Sequence, residues 1–165
     1  MAPDTSTKSL PLAGIGVVEF THMVMGPSAG MILADLGADS IKIEPAPMGD
    51  NTRRLTGPAT GFFPTFNRNK RSLAVDMKKP AGLTLVRKLL KTADGLQHPT
   101  RQTAPLPTLP ISLHGSRPGL RRQPPSVGQH GIEIMREAGF SDVEINTYIS
   151  DGTLTTPTTL NEAAE

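Results

Sequence analysis

The chain has 165 residues, 17 Lys and Arg against 15 Asp and Glu, and no cysteine. This excludes disulfides, thiolate nucleophiles and cysteine-held zinc or iron–sulfur centres. A net charge of +2 with 4% aromatic residues supplies neither the field nor the stacking surface of a nucleic-acid binder. No apolar run approaches membrane-spanning length and the N-terminal MAPDTSTKS lacks an apolar segment, so a soluble, cytoplasmic protein with one modest core is expected.

The stretch LAGIGVVEFTHMVMGPSAGMILADLGADSIKIE, residues 12–44, reads as strand, loop, helix, strand. Ile15, Val17, Val18 and Phe20 form a short apolar run between glycines and Thr21-His22, as in a strand covered on both faces. A helix is expected from about Pro27, with Gly37 just past its end and Ala29, Ile32, Leu33 and Leu36 on one face. Ile41 and Ile43 alternate with Lys42 and Glu44 as a second strand. Two strands joined by one helix pair parallel through a right-handed crossover, and the loop after the first strand is then the functional one.

Pro45 to Pro64 is rich in Pro, Gly and Thr and reads as a long loop. Leu73 and Val75 alternate with Ser72, Ala74 and Asp76 as a third strand. A helix should start at Pro80, with Leu83, Val86, Leu89 and Leu90 on its apolar face and Arg87, Lys88 and Lys91 near its C-terminus, where the helix dipole favours cations. From Gln97 to Ser126 there is no acidic residue, no sustained period and frequent proline, a composition unable to offset its ordering entropy by burial. Regular patterning returns in GQHGIEIMREAG, residues 128–139, with Ile132, Met135 and Ala138 on one face. Ser141 with Glu144 is a capping box opening a second helix through Ile149, and the tail after Gly152 is polar and expected to fray. The fold expected is α/β: a partial Rossmann-like parallel sheet of three strands with flanking helices, then a disordered Pro-rich segment and a C-terminal helix pair.

Several local motifs carry little chemistry. Gly26-Pro27-Ser28-Ala29-Gly30 matches the G-x-S-x-G nucleophile elbow of α/β-hydrolases, but the strand ends too early for a tight strand–serine–helix turn, and an esterase is the weakest alternative. Gly14-x-Gly16 precedes a strand, whereas a dinucleotide fingerprint follows one. His22, His98, His114 and His130 share no metal-ligand spacing, so no metal site is expected. Asn67-Arg68-Asn69-Lys70-Arg71 is too short and too poor in aromatics for nucleic acid and reads as structural, and Arg53 as a loop-fixing arginine.

The pieces PLAGIGVVEFTH, GPSAGMILADLGADSIKIEP, GDNTR, FNRNKRSLAVDMKKPAG and LLKTADG, in this order and spacing, resemble the class III CoA-transferases, the group of formyl-CoA transferase, carnitine CoA-transferases and α-methylacyl-CoA racemase. VGQHGIEIMREAGFSDVEINTYISDG is similar to the closing helix pair of that family, while the segment between has no counterpart in it. An internal deletion with a shifted reading frame would account for all three, an authentic flexible linker being the alternative that the same composition permits. The resulting division is 1–96, the first part of the α/β domain; 97–126, linker; 127–152, helix pair; 153–165, tail.

The resemblance implies transfer of CoA between an acyl-CoA and a carboxylic acid, with CoA or acyl-CoA as substrate and no tightly bound cofactor. The family's nucleophilic aspartate, and the proton-exchanging residues of its racemase branch, belong to the absent part, so no catalytic residue is assigned. The chain is then expected to be inactive or weakly CoA-binding by itself, with racemase-type activity of the α-methylacyl-CoA kind and a non-catalytic remnant or interaction protein as the alternatives. The resemblance places His22, Met23, Val24 and Met25 along the thiol arm of CoA and Val75, Asp76, Met77 and Lys78 near its adenosine end. Lys79 has no assigned partner. Formyl-CoA transferases carry glutamine at the position of Val24, which speaks against oxalate–formyl specificity, and Gln97-His98-Pro99 replaces a third contact set. Family members form interlocked dimers, which this chain is expected not to form.

Overall fold

The computed structural model describes residues 10–93, 95–97 and 122–157. Its centre is one five-stranded sheet in the order β4-β1-β2-β3-β5. β1 (Gly16–Glu19), β2 (Asp39–Pro45), β3 (Lys70–Val75) and β4 (Gly95–Gln97) are parallel, and β5 (Leu154–Thr155) is antiparallel to β3. The α/β class and the parallel centre are as expected. β4 and β5 are additions to the three strands read from the sequence.

β1 and β2 are joined by α1 (Met25–Asp35), which begins two residues before Pro27. Proline is accommodated there because first-turn N–H groups have no partner inside the helix. Gly37 follows with φ +113°, a left-handed conformation that ends the helix. Between β2 and β3 the chain makes two 3₁₀ turns, Asn51–Arg54 and Gly57–Ala59, and a short helix α2 (Phe62–Phe66), so the expected loop carries structure of its own.

α3 (Pro80–Leu90) starts at its proline as read. Its buried stripe is Gly82, Leu85, Val86 and Leu89, whereas Leu83 is 40% exposed. The expected face therefore needs correcting by a small rotation: positions 82, 85, 86 and 89 repeat at helical spacing, and Gly82 lets the helix press on the end of β3, since a Cβ there would lie 2.1 Å from the Asp76 carbonyl oxygen. α4 (Gly131–Glu137) and α5 (Asp142–Ser150) cover the same face, and Ser141 and Glu144 form the capping box.

The side chains of Val18, Ile41, Ile43, Leu73 and Val75 pack with α3, α4 and α5 into one apolar core that includes Ile134, Met135, Phe140, Ile145 and Leu154. The helix pair is docked. Lys88 donates to the Gly139 carbonyl at 2.7 Å and sits 3.9 Å from the centre of the Phe140 ring.

Three expected boundaries move. Gln97, assigned to the linker, is the last residue of β4 and pairs with Glu19. Residues 122–126, assigned to the linker, lie on the body: Asn69 and Arg122 exchange hydrogen bonds at 2.9 and 2.7 Å, and the Pro125 carbonyl accepts from Arg53 at 2.8 Å. The tail does not begin at Gly152, because Thr153 to Thr156 are buried and Leu154 and Thr155 pair with Val75 and Ala74. Residues 98–121 of the expected linker and 158–165 of the tail lie outside the described residues.

Candidate functional site

Parallel α/β sheets bind ligands beyond the carboxyl ends of their strands. Here two loops emerge at that edge from the stretches singled out in the sequence. The first follows β1. Thr21 is buried, His22 is exposed, Met23 and Met25 are 48% and 86% exposed, and Val24 is half-buried at the N-terminus of α1. Met23 takes φ +66°, unusual for a residue with a side chain, so the loop makes a sharp reversal there. The Val24 carbonyl receives both the backbone N–H of Ser28 at 2.8 Å and its hydroxyl at 2.6 Å. Ser28 is therefore inside α1, its hydroxyl spent on the helix, and is not placed as a nucleophile elbow.

The second loop follows β3. Val75 is fully buried and paired with Pro45 and Leu154, so its side chain belongs to the core. The Asp76 N–H donates to the Thr153 carbonyl at 2.8 Å, and its carboxylate accepts from the Lys78 N–H at 3.0 Å in a local turn. Met77 packs against the core and Lys78 is exposed. Lys78 thus offers an exposed ammonium with no ion-pair partner among the described residues, while the Asp76 carboxylate is engaged by the Lys78 N–H. Lys79 does have a partner: it donates to the Asp151 carbonyl and lies 3.8 Å from the Asp151 carboxylate. β2 stands between β1 and β3, which puts them about 10 Å apart at two strand spacings.

Beneath these loops lies a feature that the sequence reading missed. On the face opposite the apolar core, the sheet presents Glu19, Lys42, Glu44, Lys70 and Ser72, all fully buried, under α1, α2 and residues 50–53. Lys70 meets both oxygens of Glu19 at 2.9 and 3.0 Å, and also donates to the Pro27 carbonyl at 2.9 Å and Asn67 Oδ1 at 3.2 Å. Lys42 lies 3.6 Å from Glu19 and 2.9 Å from Asp50, and donates to the Thr21 carbonyl at 2.7 Å. Glu44 takes a two-pronged contact from Arg53 at 2.8 and 2.6 Å, the Ser72 hydroxyl at 2.6 Å and the Asp50 N–H at 2.8 Å.

Three cations, Lys42, Lys70 and Arg53, balance three carboxylates, Glu19, Glu44 and Asp50, in this network, so no net charge is buried, which is the condition for tolerating ions away from water. Burial pushes the Lys70 ammonium down to about 8, against the pull of Glu19 towards the charged form. For Asp50 burial acts upwards, but Lys42 and the Thr52 donors outweigh it and hold its carboxyl below the ordinary range.

The sequence did contain a signal. Charges at alternate positions of a strand covered on both faces cannot all reach solvent, so Lys42 and Glu44 had to be either exposed or paired. Arg53, also 3.6 Å from the centre of the Phe63 ring, fixes the loop as expected. The 67–71 run is structural: Arg68 and Asn69 both reach Asp35 at 2.6 Å, and Arg71 pairs with Asp39, Glu133 and Glu137. Among the described residues no group of three or more His, Asp or Glu is arranged to hold a metal ion, and no helix is long and apolar enough to cross a membrane.

Known proteins resemble this chain over its first part. The family model described as CoA-transferase family III matches residues 12–101. A succinate–glutarate CoA-transferase of Agrobacterium fabrum is 41% identical over 101 residues, 55% of this chain and 25% of its own length. The human succinyl-CoA:glutarate CoA-transferase is 39% identical over 51% of this chain and 20% of its own, and a formyl-CoA:oxalate CoA-transferase of Rhodopseudomonas palustris is 39% identical over 52% and 21%. A crystal structure of a CAIB/BAIF family protein from Brucella suis superposes with a TM-score of 0.51 at 39% identity, covering 54% of this chain and 25% of that one. The chain spans only 20 to 25% of the length of these relatives.

Proposed function

This chain belongs to CoA-transferase family III, and from that premise we propose that it supplies the CoA-binding edge of an enzyme that transfers CoA between an acyl-CoA and a carboxylic acid. The observation that carries this reading is the family match over residues 12–101, which includes both the loop after β1 and the loop after β3 at the ligand-binding edge of the sheet. In this reading His22 to Met25 lie along the thiol arm, with the exposed methionines offering soft apolar contact. Lys78 faces the phosphates of the adenosine end, and Val75, Asp76 and Met77 hold the turn that presents it. CoA is substrate here, not a resident cofactor. No aspartate of this chain takes the nucleophile's role, so the reading is of CoA binding without turnover by the chain alone. An interlocked dimer is not expected.

Calorimetric titration of CoA into the wild type, Lys78→Ala and Lys79→Ala tests it. A charge-assisted phosphate contact is worth roughly 1.5–3 kcal/mol, so Lys78→Ala should weaken binding by about tenfold to a hundredfold. Lys79→Ala should leave affinity nearly unchanged, since that ammonium is engaged by Asp151. Equal affinities for the three proteins, or no binding by the wild type, would defeat the reading. Turnover of short acyl-CoA donors by the purified chain would defeat its non-catalytic part.

A further inference from the structure

The loop after β1 is tied at both ends from below. At its entry the Thr21 carbonyl accepts from the buried Lys42 at 2.7 Å. Just past its exit, in the first turn of α1, the Pro27 carbonyl accepts from the buried Lys70 at 2.9 Å. The two lysines come from different strands, β2 and β3, yet both reach the same carboxylate, Glu19, at 3.6 and 2.9 Å. Glu19 is the last residue of β1, just before the loop begins.

The surrounding backbone is shaped to permit this arrangement. A Cβ on Gly30 would lie 1.8 Å from a Glu19 oxygen and 3.1 Å from the Lys70 ammonium, so α1 can settle over the pair only with glycine there. A Cβ on Gly26 would lie 2.3 Å from the Thr21 side chain, so the loop closes on its own entry only with glycine at that point too. Between the two tied carbonyls stand the residues that protrude, Met23 and Met25 among them, with Met23 held at positive φ.

We propose that Glu19, Lys42 and Lys70 form a buried clasp that fixes the conformation of residues 21–27, and that they are positioning residues for CoA, acting through the Thr21 and Pro27 carbonyls without touching the ligand. The CoA part rests on the function proposed above; the clasp itself does not. Two backbone oxygens held by buried ammonium groups cost the loop its freedom at folding rather than at binding, and preorganisation of this kind raises affinity by removing the ordering cost from the binding step. The clasp also explains why ions are kept where apolar side chains of similar volume would fill the space: an aliphatic chain at position 42 or 70 could pack but could not donate to a carbonyl.

The test pairs a CoA-independent readout with a CoA-dependent one in Glu19→Gln/Lys70→Leu, a variant that removes one charge of each sign. Methyl spectra of protein labelled at its methionines report the loop through Met23 and Met25, with the fully buried Met135 as the reference for an intact core. The clasp predicts that the Met23 and Met25 signals move towards their random-coil positions while Met135 stays in place, and that CoA binds at least tenfold more weakly. Unmoved loop methyls would overturn the clasp, whether or not CoA binds. Displaced methyls with unchanged CoA affinity would overturn the positioning role. A wild type that binds no CoA defeats the proposed function, and the methyl comparison then still decides the clasp. Should the variant fail to fold, backbone order parameters of the wild type decide: values near the rigid level of about 0.85 over residues 22–26 support the clasp, and values below about 0.6 overturn it.

Discussion

Replacing Lys70 by leucine should be far more harmful than replacing Lys70 and Glu19 together. Lys70 and Glu19 are both 0% exposed, and Lys70 provides the two shortest contacts to that carboxylate, at 2.9 and 3.0 Å. Removing one partner of a buried pair leaves an uncompensated charge and costs about 3–5 kcal/mol. Lys42, at 3.6 Å, still faces Glu19 and keeps the loss near the lower end, so about 3 kcal/mol is expected for Lys70→Leu. In Glu19→Gln/Lys70→Leu the stranded charge is gone, Lys42 retains Asp50 and the Thr21 carbonyl, and the loss should fall to about 1–2 kcal/mol. Urea unfolding of the wild type, both single variants and the double variant measures the cycle.

A pH series gives an independent check on the same lysine. Its ammonium is pushed from 10.5 down to about 8 in the folded protein, so between those values the unfolded chain binds more protons and folding gains as pH rises. The penalty for burying the charge is fully present below pH 8 and relieved as the pH rises towards 10.5, with the neutral amine still able to donate to Glu19. Wild type should gain on the double variant across this window. Strictly additive single losses, or a gap that does not change with pH, would refute the account of a buried ion pair.

Leu154→Ala should cost about 2–5 kcal/mol in denaturant unfolding, because Leu154 is 1% exposed and its strand closes the apolar core against β3; an effect below about 0.5 kcal/mol would mean that β5 is not part of the folded unit. Ser141→Ala removes the hydroxyl that caps α5 and should cost about 1 kcal/mol by thermal or urea unfolding. Ser141→Asp should recover most of that loss, since aspartate is an equally good acceptor at that position.

What could be read in the sequence was whatever had a local cause. Pro80 with Lys79 before it and basic residues at the far end marks α3 whatever it packs against, and Ser141 with Glu144 marks α5 in the same way. The face of α3 was less legible, because Leu83 and Leu85 both suit a helix and only the close approach of Gly82 to Asp76 decides between them. β5 was illegible: two residues in a threonine-rich tail become a strand only because Val75 and Ala74 offer them an open edge. At the candidate site the loops were visible as interruptions after strands. What holds them in shape was not, since Lys42, Glu19 and Lys70 are separated in sequence and look like ordinary surface charges until three strands bring them together.

The charged face also bears on how the chain selects one strand pairing among its neighbours. Within β2, Ile41 and Ile43 point to the apolar core while Lys42 and Glu44 point to the ionic face. A slip of one residue between β2 and its neighbours would exchange the two sets and drive an ammonium and a carboxylate into the cluster of Val18, Leu73 and Val75. An all-apolar strand, buried on both sides, would pay little for the same error. A one-residue misalignment therefore strands a charge in hydrocarbon, and the native alignment is the one that lets Glu19, Lys42, Glu44 and Lys70 all find their counterparts.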